Sequence, residues 1–373
     1  MTKKRYLVTG AAGRLGTKFV EIVSQKNIDD VTDLRLLDLN FSEAVKRKHE
    51  EACTEAKINV EWITGSITDQ SILRSALQDV DVVVHMASII DFRDELPRSK
   101  LWKVNVQGTK NLIDVCCQCN VSHFVYTSSM ETVGPNVYRD PMYNGNEDTH
   151  YRVKHAMFYG ETKHEAENLV LAANGRKLED GKRLTTCALR PGEIYGGLDY
   201  EILIETARDN LKSKTLPSPS DPSHLFSRIY IDNAAWCHVL AAKQIQMIAS
   251  TIGGNAYYIG DDTPKLAFAR LNQIFLEPFG FKMHQREPIL PFWIMYTFLL
   301  ILFYVKGFLR VLGFSTQVKI CPGALKVVCT CFTFSHGKFQ EHFGYKPLKS
   351  WEETLEETRK HMGIILKEIE SHS

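Results

Sequence analysis

The chain is 373 residues long, 44% apolar and 24% charged, with a formal net charge of +1. That length buries a large core in one elaborated domain or two, and so neutral a balance argues against a nucleic-acid partner. Nine cysteines lie scattered without paired Cys-x-x-Cys or His spacing, which speaks for buried free thiols, including Cys116, Cys117 and Cys119, rather than a metal site.

The N-terminus enters an apolar run, Tyr6-Leu7-Val8, almost at once, leaving no room for a signal peptide. Thr9-Gly10-Ala11-Ala12-Gly13-Arg14-Leu15-Gly16 follows, and Thr17 to Val23 then repeats apolar residues at helical spacing. Strand, glycine turn and helix in that order predict a dinucleotide site. Gly10 permits the tight turn, Gly13 lets backbone approach a pyrophosphate, and Gly16 allows close helix–strand packing. Arg14 and Leu15 stand where the helix start offers free N–H groups to phosphates.

Leu34-Arg35-Leu36-Leu37 reads as the next strand, ending in Asp38, about twenty residues beyond the last glycine. A carboxylate there accepts from adenosine ribose hydroxyls and repels a 2′-phosphate. Leu39-Asn40-Phe41 supplies no Arg to hold such a phosphate, so NAD is favoured over NADP. A plain strand-end turn is the alternative role for Asp38. Further strands are expected at Val60–Ile63, Asp81–His85 and His123–Thr127, with helices from Asp69 through Leu77 and from about Leu101 to Cys117. This alternation predicts an α/β NAD(P)-binding Rossmann fold, a doubly wound parallel sheet. Ligands then bind beyond the carboxyl ends of the strands, where Gly10, Asp38, Gly65, Ala87 and Ser128-Ser129 fall. The glycosylation sequons at Asn40 and Asn120 lie inside this fold and read as chance matches in a chain whose catalytic part stays in reducing cytosol.

Tyr159-Gly160-Glu161-Thr162-Lys163 places Tyr and Lys one turn apart on one helix face. A phenol of pKa about 10 is a poor base at neutral pH, and a neighbouring ammonium favours the phenolate. Lys163 is also placed to hold nicotinamide ribose hydroxyls, and Ser129 to orient the reacting oxygen.

Beyond Arg190-Pro191 the pattern loosens into a smaller substrate lobe, with a turn-rich loop at Pro217–Pro222, a strand at Arg228–Asp232 and a helix at Asn233–Lys243. Ile289–Val305 is seventeen residues without a charge. As a helix it reaches ~25 Å against a hydrocarbon core of ~30 Å. Pro288 and Pro291 mark its start, Trp293 lies near one end, and Lys306 and Arg310 follow the other. A buried helix of the lobe is the alternative, and a single span is not separable here from a shallow insertion. Val327–Phe332 is too short to span and reads as a strand or packing segment. Four parts follow: a nucleotide domain with the Ser/Tyr/Lys site at 1–190, a substrate lobe at 191–285 that lends late strands to the core, an anchoring segment at 286–312, and the rest of the lobe at 313–373.

The chain resembles the extended short-chain dehydrogenase/reductases and, within them, the membrane-bound 3β-hydroxysteroid dehydrogenase/Δ5-Δ4 isomerases. The segments that carry this are TGAAGRLG, DVVVHMASIID, NVQGTKNLIDVC, VYTSSMETVGPNVY, YGETK, LVLAANG, TCALRPGEIYG, YIDNAAWCHVLAA, YYIGDDTP and FGYKPLKSWEE. The resemblance implies Tyr159 as base, Lys163 as its partner and Ser129 as third member. It implies cofactor contacts from Gly10, Gly13, Gly16 and Asp38, with Ala87 and Pro191 lining the nicotinamide side. Ser66, followed by Ile67, stands where the family usually has an Asp that holds adenine, and Thr162 replaces its Ser; the first change implies slightly weaker NAD binding, by ~1 kcal/mol. For isomerisation the resemblance offers Tyr257 and Asp261, although Asp-Asp-Thr-Pro is also an ordinary helix-capping turn. It further implies a steroid or sterol substrate, an endoplasmic reticulum or mitochondrial membrane with the catalytic part facing the cytosol, and a homodimer through helices Leu101–Cys117 and Phe158–Ala173. Two rivals remain: a sterol-4α-carboxylate 3-dehydrogenase, and a non-catalytic, membrane-tethered NAD or lipid sensor. An intact Ser129, Tyr159 and Lys163 argues against the sensor.

Overall fold

Seven parallel strands form the centre of the protein, as seen in a computed structural model that describes residues 4–26, 31–311 and 320–371. In chain order they are β1 (Lys4–Thr9), β2 (Val31–Asp38), β3 (Asn59–Thr64), β4 (Val82–His85), β5 (His123–Thr127), β6 (Thr185–Pro191) and β7 (Asn255–Ile259). Their order across the sheet is β7-β6-β5-β4-β1-β2-β3. The chain therefore reverses its direction of winding between β1 and β4, and a crevice opens above their carboxyl ends. Register places Thr9 beside Leu37 on one flank and His85 on the other.

Both faces of the sheet are covered, which is why its strands read as continuous apolar runs. One face buries Tyr6, Val8, Leu36, Val84 and Val125 against Phe19, Val23, Cys237 and Ala241. The other buries Leu7, Leu37, Val83, Phe124 and Tyr126 against Leu112, Cys116, Ala166 and Val170. Cys116 and Cys117 lie in this core as free thiols, whereas Cys119 is half-exposed at the end of its helix.

The helix expected at 101–117 is not uniform. It begins at Arg98–Leu101, widens into a π-helical segment over Trp102–Gly108 and returns to α-geometry at Thr109–Gln118. The widened turn presents Asn105, whose Oδ1 accepts from Ile89 N (2.8 Å) and whose Nδ2 donates to Ile89 O (2.9 Å) and Thr162 Oγ1 (3.0 Å). No feature of hydrophobic spacing signals that widening, and such segments gather at functional sites.

A second core joins Tyr195, Tyr200, Leu203, Phe275 and Phe281 to Met362, Ile365 and Leu366 of the helix Trp351–Ser371, so that helix packs with segments that follow β6. The expected strand at Arg228–Asp232 is Arg228–Tyr230, with its helix starting at Ile231. The run Val327–Phe332 does not form one element. Val327 and Val328 close a helix, Pro322–Val328, and the strand is Phe332–Phe334, paired with Met142–Gly145. The apolar helix spans Phe292–Val311, starting directly after Pro291. The Arg310 side chain and residues 312–319 lie outside the described residues.

Candidate active site

The glycine turn fits an approaching pyrophosphate by exclusion of side chains. Gly10 has φ +72°, and a Cβ on it would stand 2.7 Å from Ala87 N; on Gly16 it would stand 2.3 Å from the Gly10 carbonyl. Neither position tolerates a larger residue. Gly13 caps the helix Arg14–Gln25 in extended conformation with no side-chain cap, which leaves the first N–H groups open to an anion. Asp38 stands beside this turn: its Oδ2 accepts from Ala12 N (2.9 Å) and its Oδ1 from Leu39 N (2.7 Å). It is thus held at the rim where an adenosine ribose would lie, next to an exposed Leu39 rather than a cation.

The other expected cofactor residues divide. Ala87 meets the turn and donates its N–H to Thr9 Oγ1 (3.2 Å), and Pro191 is buried at the end of β6. Ser66 accepts from Thr68 N (3.2 Å) and bonds its hydroxyl (2.9 Å), while Ile67 is buried beside Gly108. Arg14 reaches across the crevice, donating to Asp199 Oδ1 (3.0 Å) and to the Gly196 carbonyl (2.6 Å). It ties the glycine turn to the second lobe.

Ser129, Tyr159 and Lys163 meet at the carboxyl end of β5. Ser129 follows the strand and Tyr159 and Lys163 share a face of the helix Phe158–Ala172. The Ser129 hydroxyl accepts from Glu131 N (3.2 Å) and lies near enough to Tyr159 to favour its phenolate. Burial pushes the Tyr159 phenol well above its usual range, with Glu131 adding repulsion and Ser129 opposing it. Lys163 is 1% exposed; its Nζ donates to Thr127 O (2.6 Å) and sits 4.3 Å from the Tyr126 ring centre. Burial draws its pKa down to about 7, and Glu167 works against that shift.

Several neighbours escaped sequence reasoning. Glu167 accepts from Ser128 Oγ (2.6 Å) and from Arg190 Nε and Nη2 (2.9 and 2.6 Å), locking the serine pair and β6 to the Tyr159 helix. Its place four residues beyond Lys163, on the same helical face, was the available signal. Glu131 is 8% exposed, and burial raises its carboxyl to about 8. Behind the site Ala87 N, Thr9, His85 and Thr109 form a hydrogen-bonded chain ending on the Asn105 carbonyl. Because Thr109 donates to that carbonyl, His85 donates from Nε2 and accepts at Nδ1 as a neutral imidazole; burial, then Lys163, lowers its pKa to about 3. On the solvent side Phe92 packs edge-on against Tyr159, with ring centres 5.7 Å apart, and Glu95 of the same segment pairs with Lys306 of the apolar helix.

Tyr257 and Asp261 are not brought to this cluster. Tyr257 lies in the core on the other side of β7, among Phe339 and Phe343, with its hydroxyl on His342 Nδ1 (2.9 Å). Asp261 accepts from Tyr230 N (2.8 Å), Asn233 Nδ2 (2.8 Å) and Thr263 N (3.0 Å), a junction between the lobes. It is Tyr258 that shares a cluster with Met130 and Met157, beside the serine turn and the start of the Tyr159 helix.

The fold is one shared with short-chain dehydrogenase/reductases: a superfamily protein of that kind from Agrobacterium tumefaciens, with bound NAD, superposes with a TM-score of 0.65 at 18% identity, covering 98% of this chain and 99% of that one. Among solved structures, dTDP-glucose 4,6-dehydratase (DesIV) from Streptomyces venezuelae, with NAD and TYD bound, superposes with a TM-score of 0.67 at 21% identity, covering 96% of this chain and 97% of that one. UDP-glucuronic acid 4-epimerase from Bacillus cereus, in complex with UDP-glucuronic acid and NAD, gives 0.66 at 18% identity, covering 97% and 99%. The sequence profile of the 3-beta hydroxysteroid dehydrogenase/isomerase family matches residues 7–291. The proteins named 3 beta-hydroxysteroid dehydrogenase type 7 of Mus musculus and Homo sapiens are each 36% identical over 354 residues, 95% of this chain and 94% of each relative. The chain belongs to the 3-beta hydroxysteroid dehydrogenase/isomerase family.

Proposed function

We propose that this chain oxidises the 3β-hydroxyl of a steroid or sterol to the 3-ketone with NAD. The observation that carries the reading is the buried pair Tyr159 and Lys163, one turn apart on one helix at the carboxyl end of β5, where Ser129 also lies. Ser129 holds the reacting oxygen and Tyr159 takes its proton. Lys163, when protonated, lowers the cost of the phenolate. NAD, when bound, supplies the acceptor for the hydride leaving C3. The glycine turn would hold its pyrophosphate and Asp38 its adenosine ribose, and Asp38 disfavours a 2′-phosphate. Phe92 covers the phenol with an apolar ring, which suits an apolar substrate and sheds water.

Isomerisation of a Δ5 to a Δ4 double bond follows oxidation in this reading. The family relation supports it, as does Glu131, a carboxyl that burial keeps protonated at neutral pH beside Tyr159. Tyr257 and Asp261, the proton carriers that the family resemblance offers, lie away from this cluster and are engaged by His342 and by Tyr230, Asn233 and Thr263. The apolar helix Phe292–Val311 supports attachment to a membrane, with endoplasmic reticulum as the expected site. The exposed Trp102, stacked on Phe158 under Arg98, supports a dimer through those helices. The test is product analysis with NAD on 3β-hydroxysteroids with and without a 4α-carboxylate. A 3-ketone with all carbons retained supports the reading. Turnover confined to the carboxylates, with loss of carbon dioxide, transfers it to the sterol-4α-carboxylate reaction, and no turnover of either refutes it.

A further inference from the structure

We propose that the helix Phe292–Val311 lies in the plane of one bilayer leaflet and does not cross the membrane, a geometry that rests on the membrane attachment proposed above. Two observations carry this. The first is the path of the chain on either side of the helix. Residues after it return to the catalytic body: Phe332–Phe334 pairs with Met142–Gly145, the Leu348 and Lys349 N–H groups donate to Asn233 Oδ1 (2.8 and 2.9 Å), and the helix Trp351–Ser371 completes the second core. Residues before the helix belong to that same body, so a single crossing would leave its two halves on opposite sides. A return crossing would have to be made by the eight residues 312–319. As a helix they reach ~12 Å, and as a lone extended strand they leave their backbone polar groups unsatisfied in lipid.

The second observation is that the helix is docked along its length. Phe292 lies 3.8 Å under the Arg139 guanidinium, Met295 and Leu299 pack with Leu325 and Cys329, Lys326 sits 4.8 Å over the Tyr296 ring, and Lys306 pairs with Glu95. From Phe292 to Lys306 these contacts extend over ~21 Å of helix. The opposite stripe, Trp293, Phe298, Ile301, Tyr304 and Phe308, is 57–69% exposed. Lys306 is the one charged residue in Phe292–Leu309, and it is turned to the body by its ion pair. A protein-binding patch carries a polar rim; this stripe is apolar and aromatic from end to end, as a leaflet-embedded face is. The same face leads to the site, because Glu95, held by Lys306, lies three residues beyond the Phe92 that packs on Tyr159.

Two measurements on the full chain test the geometry. A glycosylation acceptor appended after the C-terminus, in protein made with microsomes, stays unmodified if the helix lies in plane; a glycan there overturns the proposal. In vesicles of brominated phosphatidylcholine, Trp293 is compared with a tryptophan placed by Phe308→Trp in a Trp293→Phe background. Equal quenching from the same shallow bromine position at both sites is expected. Depths that differ by more than ~10 Å over the ~22 Å of helix between them overturn the in-plane geometry while keeping the membrane. Absence of quenching at both overturns membrane attachment itself, as does a soluble dimer that ignores the vesicles.

Discussion

Lys163 is expected to be costly to the fold. In the unfolded chain its ammonium releases a proton near pH 10.5, whereas the buried site draws that value to about 7. Below about pH 7 both states are protonated, and the folded state carries the full penalty, about 5 kcal/mol for a drop of this size. Between those two values the unfolded chain holds more protons, so stability rises with pH until the penalty vanishes near pH 10.5. Lys163→Met removes the penalty and keeps the volume, but leaves the Thr127 carbonyl without the partner now 2.6 Å away, a loss of ~1–3 kcal/mol. The variant is therefore expected to be more stable than the wild type by ~2–4 kcal/mol at neutral pH, a rise of roughly 3–5 °C for a chain of this size. That advantage disappears by about pH 10. Steroid oxidation falls by ~10²–10⁴-fold, the worth of a working base. Thermal unfolding in detergent across this pH range, alongside NADH formation, reads both. A Lys163→Met protein that is less stable at neutral pH, or whose difference from wild type ignores pH, refutes the reasoning.

Other substitutions bear on separate parts of the site. Arg190→Met leaves Glu167, 2% exposed, buried without its guanidinium partner and bonded only by the Ser128 hydroxyl, and should lower stability by up to ~3–5 kcal/mol, seen as an early denaturant midpoint; an unchanged midpoint would remove the ion pair from the site's support. Asp38→Ala should weaken NADH binding ~10- to 100-fold and narrow its lead over NADPH in a fluorescence titration; an intact preference would put discrimination elsewhere. Asp261→Ala unpairs the N–H groups of Tyr230 and Thr263 and should lower stability, oxidation and isomerisation together. Isomerisation lost alone would make Asp261 a proton carrier. Glu131 carries the opposite pH signature to Lys163: the folded state keeps its proton up to about 8, so stability falls as pH rises from the ordinary carboxyl range to that value, and Glu131→Gln should flatten this slope.

What was legible in the sequence was local. The Gly10–Gly16 turn is written within seven positions, although Gly10 also has to fit against the distant Ala87, and the Tyr159–Lys163 pair is written within one helical turn, so spacing exposes both. Parallel strands buried on two faces announce themselves as apolar runs, and Val82–His85 did so. The rest depended on contacts between distant segments. Glu167 meets Arg190 across 23 positions, Phe92 covers Tyr159 from another loop, and Asn105 needs a widened helical turn that no periodicity encodes. Val327–Phe332 reads as a single segment because its apolar residues are contiguous, whereas in the fold they divide between a helix end and the turn into a strand. Composition marks the helix near residue 300 as apolar; only the return of residues 320–371 to the same body bears on how it would lie in a membrane.

The most direct test of the chemistry follows the hydrogen at C3. Wild-type and Tyr159→Phe proteins are incubated with NAD and a 3β-hydroxysteroid deuterated at the 3α position, and ketone and NADH are analysed by mass spectrometry. One deuterium in NADH for each ketone formed by the wild type, with both lost in Tyr159→Phe, is the predicted result. Ketone formed with unlabelled NADH, or undiminished in Tyr159→Phe, would contradict hydride transfer from C3 with Tyr159 as the base.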